Sequence, residues 1–222
     1  MEILSQPAHA AIRRFVRSFG QRRVLLTGVC VTTPLAARPD QFIEFYLGER
    51  YRISVDDGPS VLAPETAVVG PQTRPGLRLH MSGDIDVFTI RFQPTGFHRL
   101  FGVPMPTLAD QGIAIGDILG HAATGLKDAV RDAEGFDARV IAVQRWVERR
   151  ALRCSRESGL DHAARLLVAT RGRTRIDAIA DRSGLSLRQF QRRFTAEVGV
   201  SPKFYARTLR LEAALAARNR YP

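Results

Sequence analysis

Arginine and glutamine side chains share one side of a helix that is predicted near the carboxyl end of the chain. At about 100° per residue, one stripe of this helix is polar and a second stripe, roughly 100° away, is apolar. The polar stripe holds Arg188, Gln191, Arg192 and Thr195, and the apolar stripe holds Leu187, Phe190, Phe194 and Val198. Arginine can form two hydrogen bonds with guanine, and glutamine can form two with adenine. The pattern therefore predicts a helix over 186–198 with a buried side and a side that binds DNA bases, with Arg193 on the flank facing phosphate.

The same pattern has a plainer explanation, which is a helical hairpin with a solvated arginine face. The distribution of charge favours DNA binding. Residues 1–143 contain 15 Lys+Arg and 15 Asp+Glu, whereas residues 144–222 contain 18 and 7, so the net charge of +11 lies wholly in the last third. A neutral part joined to a basic part indicates a polyanionic partner for the basic part.

Capping and turn signals around this helix predict a helix-turn-helix unit. An amphipathic helix comes first, because apolar residues recur at helical spacing in Leu160, Ala163, Ala164, Leu167 and Val168. The later signals are a capping box at 174–177, a glycine turn at Ser183-Gly184-Leu185, a second capping box from Ser186 to Gln189, a stop at Gly199 and a helix start at Ser201-Pro202. Two short helices joined by a glycine turn form the unit whose second helix enters the major groove.

The preceding part of the chain has the alternation of short strands. The predicted strands are Val24–Val31, Phe42–Leu47, Tyr51–Val55, Leu77–Met81 and Val87–Phe92. Short strands separated by turn signals predict a small antiparallel β-barrel or sandwich, and we expect a barrel over about 20–95. Helical spacing then predicts a short helix at 96–102 and two longer ones, Gly116–Ala133 and Asp137–Arg153, broken at Gly135. The second of these carries Val140, Gln144, Val147 and Ala151 on one face.

Catalytic and metal-binding patterns are missing from the sequence. It contains no nucleophile elbow, phosphate loop, zinc-protease motif or dinucleotide loop, so we expect a protein that is not an enzyme and uses no cofactor. Five scattered histidines and two distant cysteines give no metal-ligand spacing. Cys30 lies in an apolar strand, which predicts a buried, inert thiol. Cys154 lies between Arg153 and Arg156, and redox sensing is an alternative role for it.

Three further features of the first 153 residues have more than one interpretation. His80 stands alone, which favours a structural hydrogen bond or solvent exposure over metal binding. Core packing is favoured over a ligand pocket for the aromatic residues Phe42, Phe45, Tyr46, Tyr51 and Phe88. Ile141, Trp146 and Val147 are candidates for a dimer surface, and Trp146 is an equal candidate for packing at a hinge between helices.

The carboxyl-terminal third resembles the DNA-binding domain of AraC/XylS-type bacterial transcription regulators. The resemblance lies in Asp177–Ser186, Leu187–Phe194 and Gly199–Tyr205, with Arg210–Ala214 similar to the start of the linker helix of that family. Residues 30–110 more loosely resemble its cupin-like sensor barrel. The resemblance implies base contacts by Arg188, Gln191 and Arg192. For the DNA backbone we expect contacts from Ser186, which also caps the helix, and from Thr195, Arg193, Lys203 and Arg207.

The sequence departs from this family after the linker helix. The family has a second helix-turn-helix there, whereas this sequence reaches Asn219–Pro222 at about the place where that unit begins. Three explanations stay open: a naturally shortened regulator, a frameshifted product, or a sequence cut from a longer chain. Without the second unit, base contacts worth about 1–3 kcal/mol each are lost, and we expect specific binding to depend more strongly on dimerisation.

The sequence as a whole predicts an α+β protein of two domains. Residues 1–153 form a barrel with packing helices at about 116–152, which senses or dimerises, and residues 154–222 form an incomplete helix-turn-helix domain. The expected partners are double-stranded DNA, RNA polymerase, a small effector of unknown identity and a second copy of the chain. The alternative is a truncated effector-binding or protein-interaction module that does not bind specific DNA by itself. With no apolar run of membrane-spanning length, no export signal and no disulfide pattern, we expect a cytoplasmic location.

Overall fold

The computed structural model describes residues 1–218 and has the predicted mixed α+β fold. The strands are β1 (Glu2–Pro7), β2 (Val16–Pro34), β3 (Phe42–Tyr46), β4 (Arg52–Val55), β5 (Val61–Leu62), β6 (Thr66–Val69), β7 (Leu77–Phe92) and β8 (Gly112–Ala114). The helices are α1 (Gly96–Phe101), α2 (Ile115–Leu119), α3 (Ala122–Arg131), α4 (Gly135–Ala151), α5 (Gly159–Ala169), α6 (Ile176–Arg182), α7 (Leu187–Val198) and α8 (Pro202–Arg218), with a 3-10 turn at Met105–Leu108. The segment Asn219–Pro222, where we expected a second unit to begin, lies outside the described residues.

The strands form one antiparallel sheet in the order β1-β2-β7-β3-β6-β8. The long strand β7 pairs with β2 on one edge and with two short strands in succession on the other, β4 near its start and β3 near its end. Strands β1 and β8 end the order, and no pairing within residues 1–218 joins them. The sheet is therefore open, and the predicted closed barrel is wrong because β2 and β7 pair as one long ribbon.

A bulge in this ribbon accounts for two wrong predictions. The predicted strands Leu77–Met81 and Val87–Phe92 are parts of one strand, β7. This strand continues through Gly83 and Asp84, while β2 bulges between Leu26 and Val31. Gly28 and Gly83 have φ of 68° and 75°, the left-handed conformation that glycine adopts at least cost. Cys30 lies in the looped segment, where the strand alternation is lost. Its thiol is therefore exposed and not buried.

One face of the sheet packs against α1–α4 to form the larger core. Its fully buried side chains include Phe19, Ile43, Phe88, Leu126 and Val143. The predicted helix Gly116–Ala133 is divided into α2 and α3 at Gly120, and α4 begins at Gly135 after a break at residues 132–134. On α4, Val140, Val147 and Ala151 are buried as predicted, whereas Gln144 is half-exposed and Val143 occupies the core instead.

The contacts of His80 decide its predicted role, whereas the dimer role of Trp146 stays a prediction. The sequence also predicts Val147 for a dimer surface, and this is wrong because Val147 is 1% exposed in the core. His80 is held between the hydroxyls of Thr32 (3.0 Å) and Ser54 (2.9 Å), so it ties three strands together as a structural hydrogen-bonding group. The Trp146 ring lies 5.8 Å from that of Phe101, and it packs α4 against α1. Ile141 is 50% exposed on the outer side of α4.

A second hydrophobic cluster joins α5, α6, α7 and α8. Its buried members include Leu160, Leu167, Ile179, Phe194 and Tyr205. Two local predictions are wrong here. Leu187 is 44% exposed, because it lies at the amino end of α7 beyond the reach of the other helices. The capping box at 174–177 does not form, since Arg175 is the N-cap of α6 and makes no side-chain capping bond.

A buried polar contact joins the two clusters. Asp161 of α5 is 1% exposed and accepts a hydrogen bond from the Thr95 hydroxyl at the start of α1. The Arg99 guanidinium of α1 lies 3.6 Å from the same carboxylate. Burial raises the pKa of Asp161, but the hydrogen bonds from Thr95 and Ser158 and the charge of Arg99 outweigh burial, and the resulting pKa lies below its usual range.

We expect Phe194→Ala to destabilise the helical unit by about 3–5 kcal/mol, because it leaves a cavity beside Phe190 and Tyr205. Leu187→Ala is the matched control on the same helix and should cost less than about 1 kcal/mol, since its side chain is largely solvated. Urea unfolding followed by circular dichroism measures both. Equal losses would contradict the orientation of α7 described here.

The lowered pKa of Asp161 predicts a stability that declines in acid. The ionised carboxylate stabilises the fold above its unfolded pKa, and this contribution is lost as the pH falls through the lower, folded pKa. We expect Asp161→Asn to lower the melting temperature near pH 7 and to do so much less near pH 3. Differential scanning fluorimetry across this range checks it, and a difference independent of pH would count against an ionised Asp161.

Candidate nucleic-acid interface

Helix α7 begins with the capping box that the sequence predicts. The Ser186 hydroxyl accepts a hydrogen bond from the Gln189 amide N–H (3.4 Å), and the Gln189 side-chain oxygen accepts one from the Ser186 N–H (3.1 Å). Gly199 ends the helix with φ of 95°. Both ends of α7 are therefore fixed by local residues, which determines which side chains share a face.

The inner side of α7 is buried completely. Phe190, Phe194 and Val198 have 0% exposure, and the Phe194 ring lies 5.5 Å from the rings of both Phe190 and Tyr205. These contacts hold α7 against α8 and prevent rotation about its own axis. The direction of the outer side follows from this packing.

The outer side of α7 presents the predicted base-binding side chains to solvent. Arg188, Gln191 and Arg192 are all exposed. Within residues 1–218, neither arginine has an ion-pair partner. Three polar side chains on adjacent turns of one helix, with their donors unengaged, are suited to hydrogen bonding with base edges.

The predicted backbone-contact residues fall into two groups. Lys203 and Arg207 are exposed one turn apart on α8 and are free to reach phosphate. The other three already make intramolecular bonds: Ser186 in the capping box, Thr195 by donating to the Gln191 carbonyl (2.9 Å), and Arg193 by pairing with Glu197 (3.2 Å). Phosphate contact by this group would require these bonds to be exchanged, and all five assignments stay predictions.

A shallow groove connects α7 to the amino ends of its neighbouring helices. It is lined by Arg175, Ile176, Asp177, Leu187, Gln191 and Lys203. The structure thus brings Lys203 and Gln191, twelve residues apart in the sequence, to one surface. Leu187, which the sequence placed on the apolar stripe, is 44% exposed and also lines this groove. Its position at the first turn of α7, ahead of the packed turns, is the signal that could have predicted this exposure.

The charge at one side of this groove is balanced by an ion pair. The Arg175 guanidinium lies 2.6 Å from the Asp177 carboxylate, and the hydrogen bond from Arg175 and that from the Ala178 N–H lower the pKa of Asp177 to about 2. This pair therefore adds no net charge near neutral pH. The free positive charge on this surface comes from Arg188, Arg192 and Lys203.

Other kinds of site receive no support from the described residues. Within residues 1–218, no group of three or more histidine, cysteine or acidic side chains could hold a metal ion. No helix in that part of the chain is long and apolar enough to cross a membrane. Cys154 is half-buried, and its thiol lies 3.2 Å from the Arg99 carbonyl oxygen, where it packs against the larger core.

Residues 7–114 match a family model described as a domain of unknown function, DUF6597. No curated protein matches the sequence. Three solved structures are similar to this chain at low sequence identity. The AraC-like transcriptional activator CuxR is 12% identical with a TM-score of 0.35, covering 96% of this chain and 87% of that one. ToxT from Vibrio cholerae O395 is 12% identical with a TM-score of 0.32, covering 86% and 98%. An apo ToxT variant from Vibrio cholerae strain SCE256 is 13% identical with a TM-score of 0.35, covering 92% and 100%.

We expect Ser186→Ala to destabilise α7 by about 1 kcal/mol, because the Gln189 amide N–H loses its acceptor. Ser186→Asn keeps an acceptor without adding charge and should restore most of the loss. Thermal unfolding of the three proteins by circular dichroism provides the measurement. An Ala variant as stable as the Asn variant would show that the capping bond contributes nothing.

Proposed function

We propose that this chain is a cytoplasmic transcription regulator that inserts α7 into the major groove of DNA. The observation that carries the proposal is the outward face of α7, where Arg188, Gln191 and Arg192 are exposed on a helix whose opposite face is fully buried. The glycine turn and the preceding helix α6 complete a helix-turn-helix arrangement. The proposal includes no catalytic activity.

The charge of the helical unit supplies a second, sequence-independent part of the binding energy. All of the net charge of +11 lies in residues 144–222. Phosphate contacts by Lys203 and Arg207 release counterions, so the affinity should fall steeply with salt, whereas base contacts determine which sequence is preferred. The two contributions can be separated by substitution.

The sheet and helices α1–α4 are proposed to sense a small effector and to support a homodimer. The exposed Ile141 on α4 is a candidate for that dimer surface. Dimerisation would double the number of base contacts. RNA polymerase as a further partner follows from the sequence resemblance alone.

The second candidate function is an effector-binding module without autonomous specific DNA binding. One observation favours it: the carboxyl end of α7 is engaged by the first core. The Gln41 side chain donates to the Val198 carbonyl (3.0 Å), and Gly199 lies against Met105. This contact limits how far α7 can move when it enters the major groove of DNA.

If Arg188 and Gln191 contact base edges, Arg188→Ala and Gln191→Ala should reduce the preference of the protein for one DNA sequence over another. A preferred site is first selected from a random duplex library with the full chain, and fluorescence anisotropy then compares that site with random duplex. Each variant should lose about 5- to 150-fold in the ratio of the two affinities. Arg145→Ala on the outer side of α4 removes the same charge and should leave that ratio unchanged.

Lys203→Ala should instead weaken binding to all duplexes equally and reduce the salt slope by about one. If Arg188→Ala, Gln191→Ala and Lys203→Ala all lowered specific and random binding by the same factor, the base-reading assignment would be wrong. No binding to random duplex at low salt would favour the second candidate function.

A further inference from the structure

The tight bend between α5 and α6 carries an arginine where the backbone favours glycine. Two bonds close the bend: the Gly172 N–H donates to the Leu167 carbonyl (2.8 Å), and the Arg171 N–H donates to the Val168 carbonyl (3.0 Å). In a helix end closed by this pair of bonds, the residue at position 171 takes the left-handed conformation and is usually glycine. Arg171 has φ of 51°. A side chain with a Cβ strains the backbone at this φ, and the strain points to a role for the side chain of Arg171.

The bend is fixed against α8. A Cβ at Gly172 would collide with the Ala206 carbonyl oxygen, so glycine is needed for the close approach of the two segments. The Arg210 guanidinium donates to the Gly172 carbonyl (2.6 Å). Arg171 and Arg173 are both exposed, on either side of the buried Gly172. Their positions relative to α8 are therefore set by the fold.

One side of α8 connects this bend to the groove beside α7. Lys203, Arg207 and Arg210 recur at positions i, i+4 and i+7, which share one side of a helix, and all three are exposed. Lys203 lines the groove together with Gln191 of α7, and Arg210 bonds to the bend. The helix axis advances roughly 10 Å from Lys203 to Arg210. A basic ridge thus runs from α7 to the bend, and its members are Arg171, Arg173, Lys203, Arg207 and Arg210.

The charge of the basic ridge is not neutralised by ion pairs. Among residues 1–218, none of its five side chains has an ion-pair partner. The one carboxylate of α8 is that of Glu212, which lines a groove with Arg17 and Arg171 at the end of the ridge away from Lys203. Five positive charges with so little compensation produce a field that attracts a polyanion. Continuity with the exposed face of α7 favours a DNA duplex over an acidic protein surface as that polyanion.

We infer that the basic ridge binds the sugar-phosphate backbone of the duplex beside the segment that α7 enters. Arg171, Arg173 and Arg210 add guanidinium donors for phosphate oxygens to the two side chains of α8 already assigned to the backbone. Each strand of a duplex carries one charge per roughly 3.4 Å of helix axis, so a ridge about 10 Å long spans about three phosphates. Such contacts fix the position of α7 on the duplex without reading its sequence. The inference rests on the proposed function, because it takes DNA as the partner.

The salt dependence of DNA binding tests the ridge. Fluorescence anisotropy with random duplex gives the slope of log affinity against log salt concentration, and each phosphate contact contributes about 0.9 to its magnitude. The double substitution Arg171→Gly and Arg173→Ala should reduce that magnitude by about two. Arg145→Ala with Arg149→Ala, the matched control, removes two exposed charges of α4 and should leave the slope unchanged. Equal slopes in the parent chain and the ridge variant would overturn the inference.

Arg171→Gly alone separates DNA binding from folding. Glycine relieves the strained conformation, so the variant without DNA should melt no lower than the parent chain. The magnitude of its salt slope should nevertheless fall by about one. A lower melting temperature with an unchanged slope would show that Arg171 has only a structural role, and would contradict the phosphate contact.

Hydroxyl-radical footprinting on the preferred duplex locates the contact. The double ridge variant should lose protection of the sugars at one flank of the site, while protection opposite α7 and the ratio of specific to random affinity stay as in the parent chain. A footprint that keeps this flank would overturn the inference.

The outcomes also separate the inference from the proposed function. If the parent chain prefers one sequence and the ridge variant binds it with an unchanged slope, the inference fails and the proposed function stands. If no sequence is preferred but the ridge variant has the smaller slope on random duplex, the base-reading function fails and the inference stands. No binding of the parent chain to any duplex at low salt would overturn both.

Discussion

The burial of one side of α7 is the constraint on which the rest of this molecule depends. Phe190, Phe194 and Val198 occupy the centre of the helical cluster, and Tyr205 of α8 closes it. The three apolar side chains can be buried together in only one orientation of the helix about its axis. The outward direction of Arg188 and Gln191 is thus a consequence of hydrophobic packing, and no interaction of the polar side chains themselves is needed to maintain it.

Strand alternation plays the equivalent part in the amino-terminal sheet. Because successive residues of β7 point to opposite faces, a strand that supplies Phe88 and Ile90 to the core must present Thr89 and Arg91 on the other side. That other face carries its own buried side chains, which include Phe42, Ile85 and Val87. The same alternation that places Phe88 and Ile90 in the core therefore also determines that Arg91 lies on the opposite face.

Buried polar contacts join the two clusters. Asp161 accepts from Thr95, Asp40 lies between two arginines, and Gln41 bonds the last turn of α7. Such contacts stabilise a single arrangement when every partner is present, and they weaken sharply when one partner is drawn away.

The sequence by itself determined the helix-turn-helix elements and the polar face of α7, because capping boxes, glycine turns and helical periodicity act within a few residues of one another. It also predicted β3, β4 and the last half of β7 as strands. Only the tertiary structure decided that the sheet stays open, that Cys30 is exposed in a bulge, that Leu187 faces solvent, and that Gln41 bonds to the last turn of α7. These features depend on strand register and on contacts between residues far apart in the chain, and a local pattern carries no information about which distant partner satisfies it.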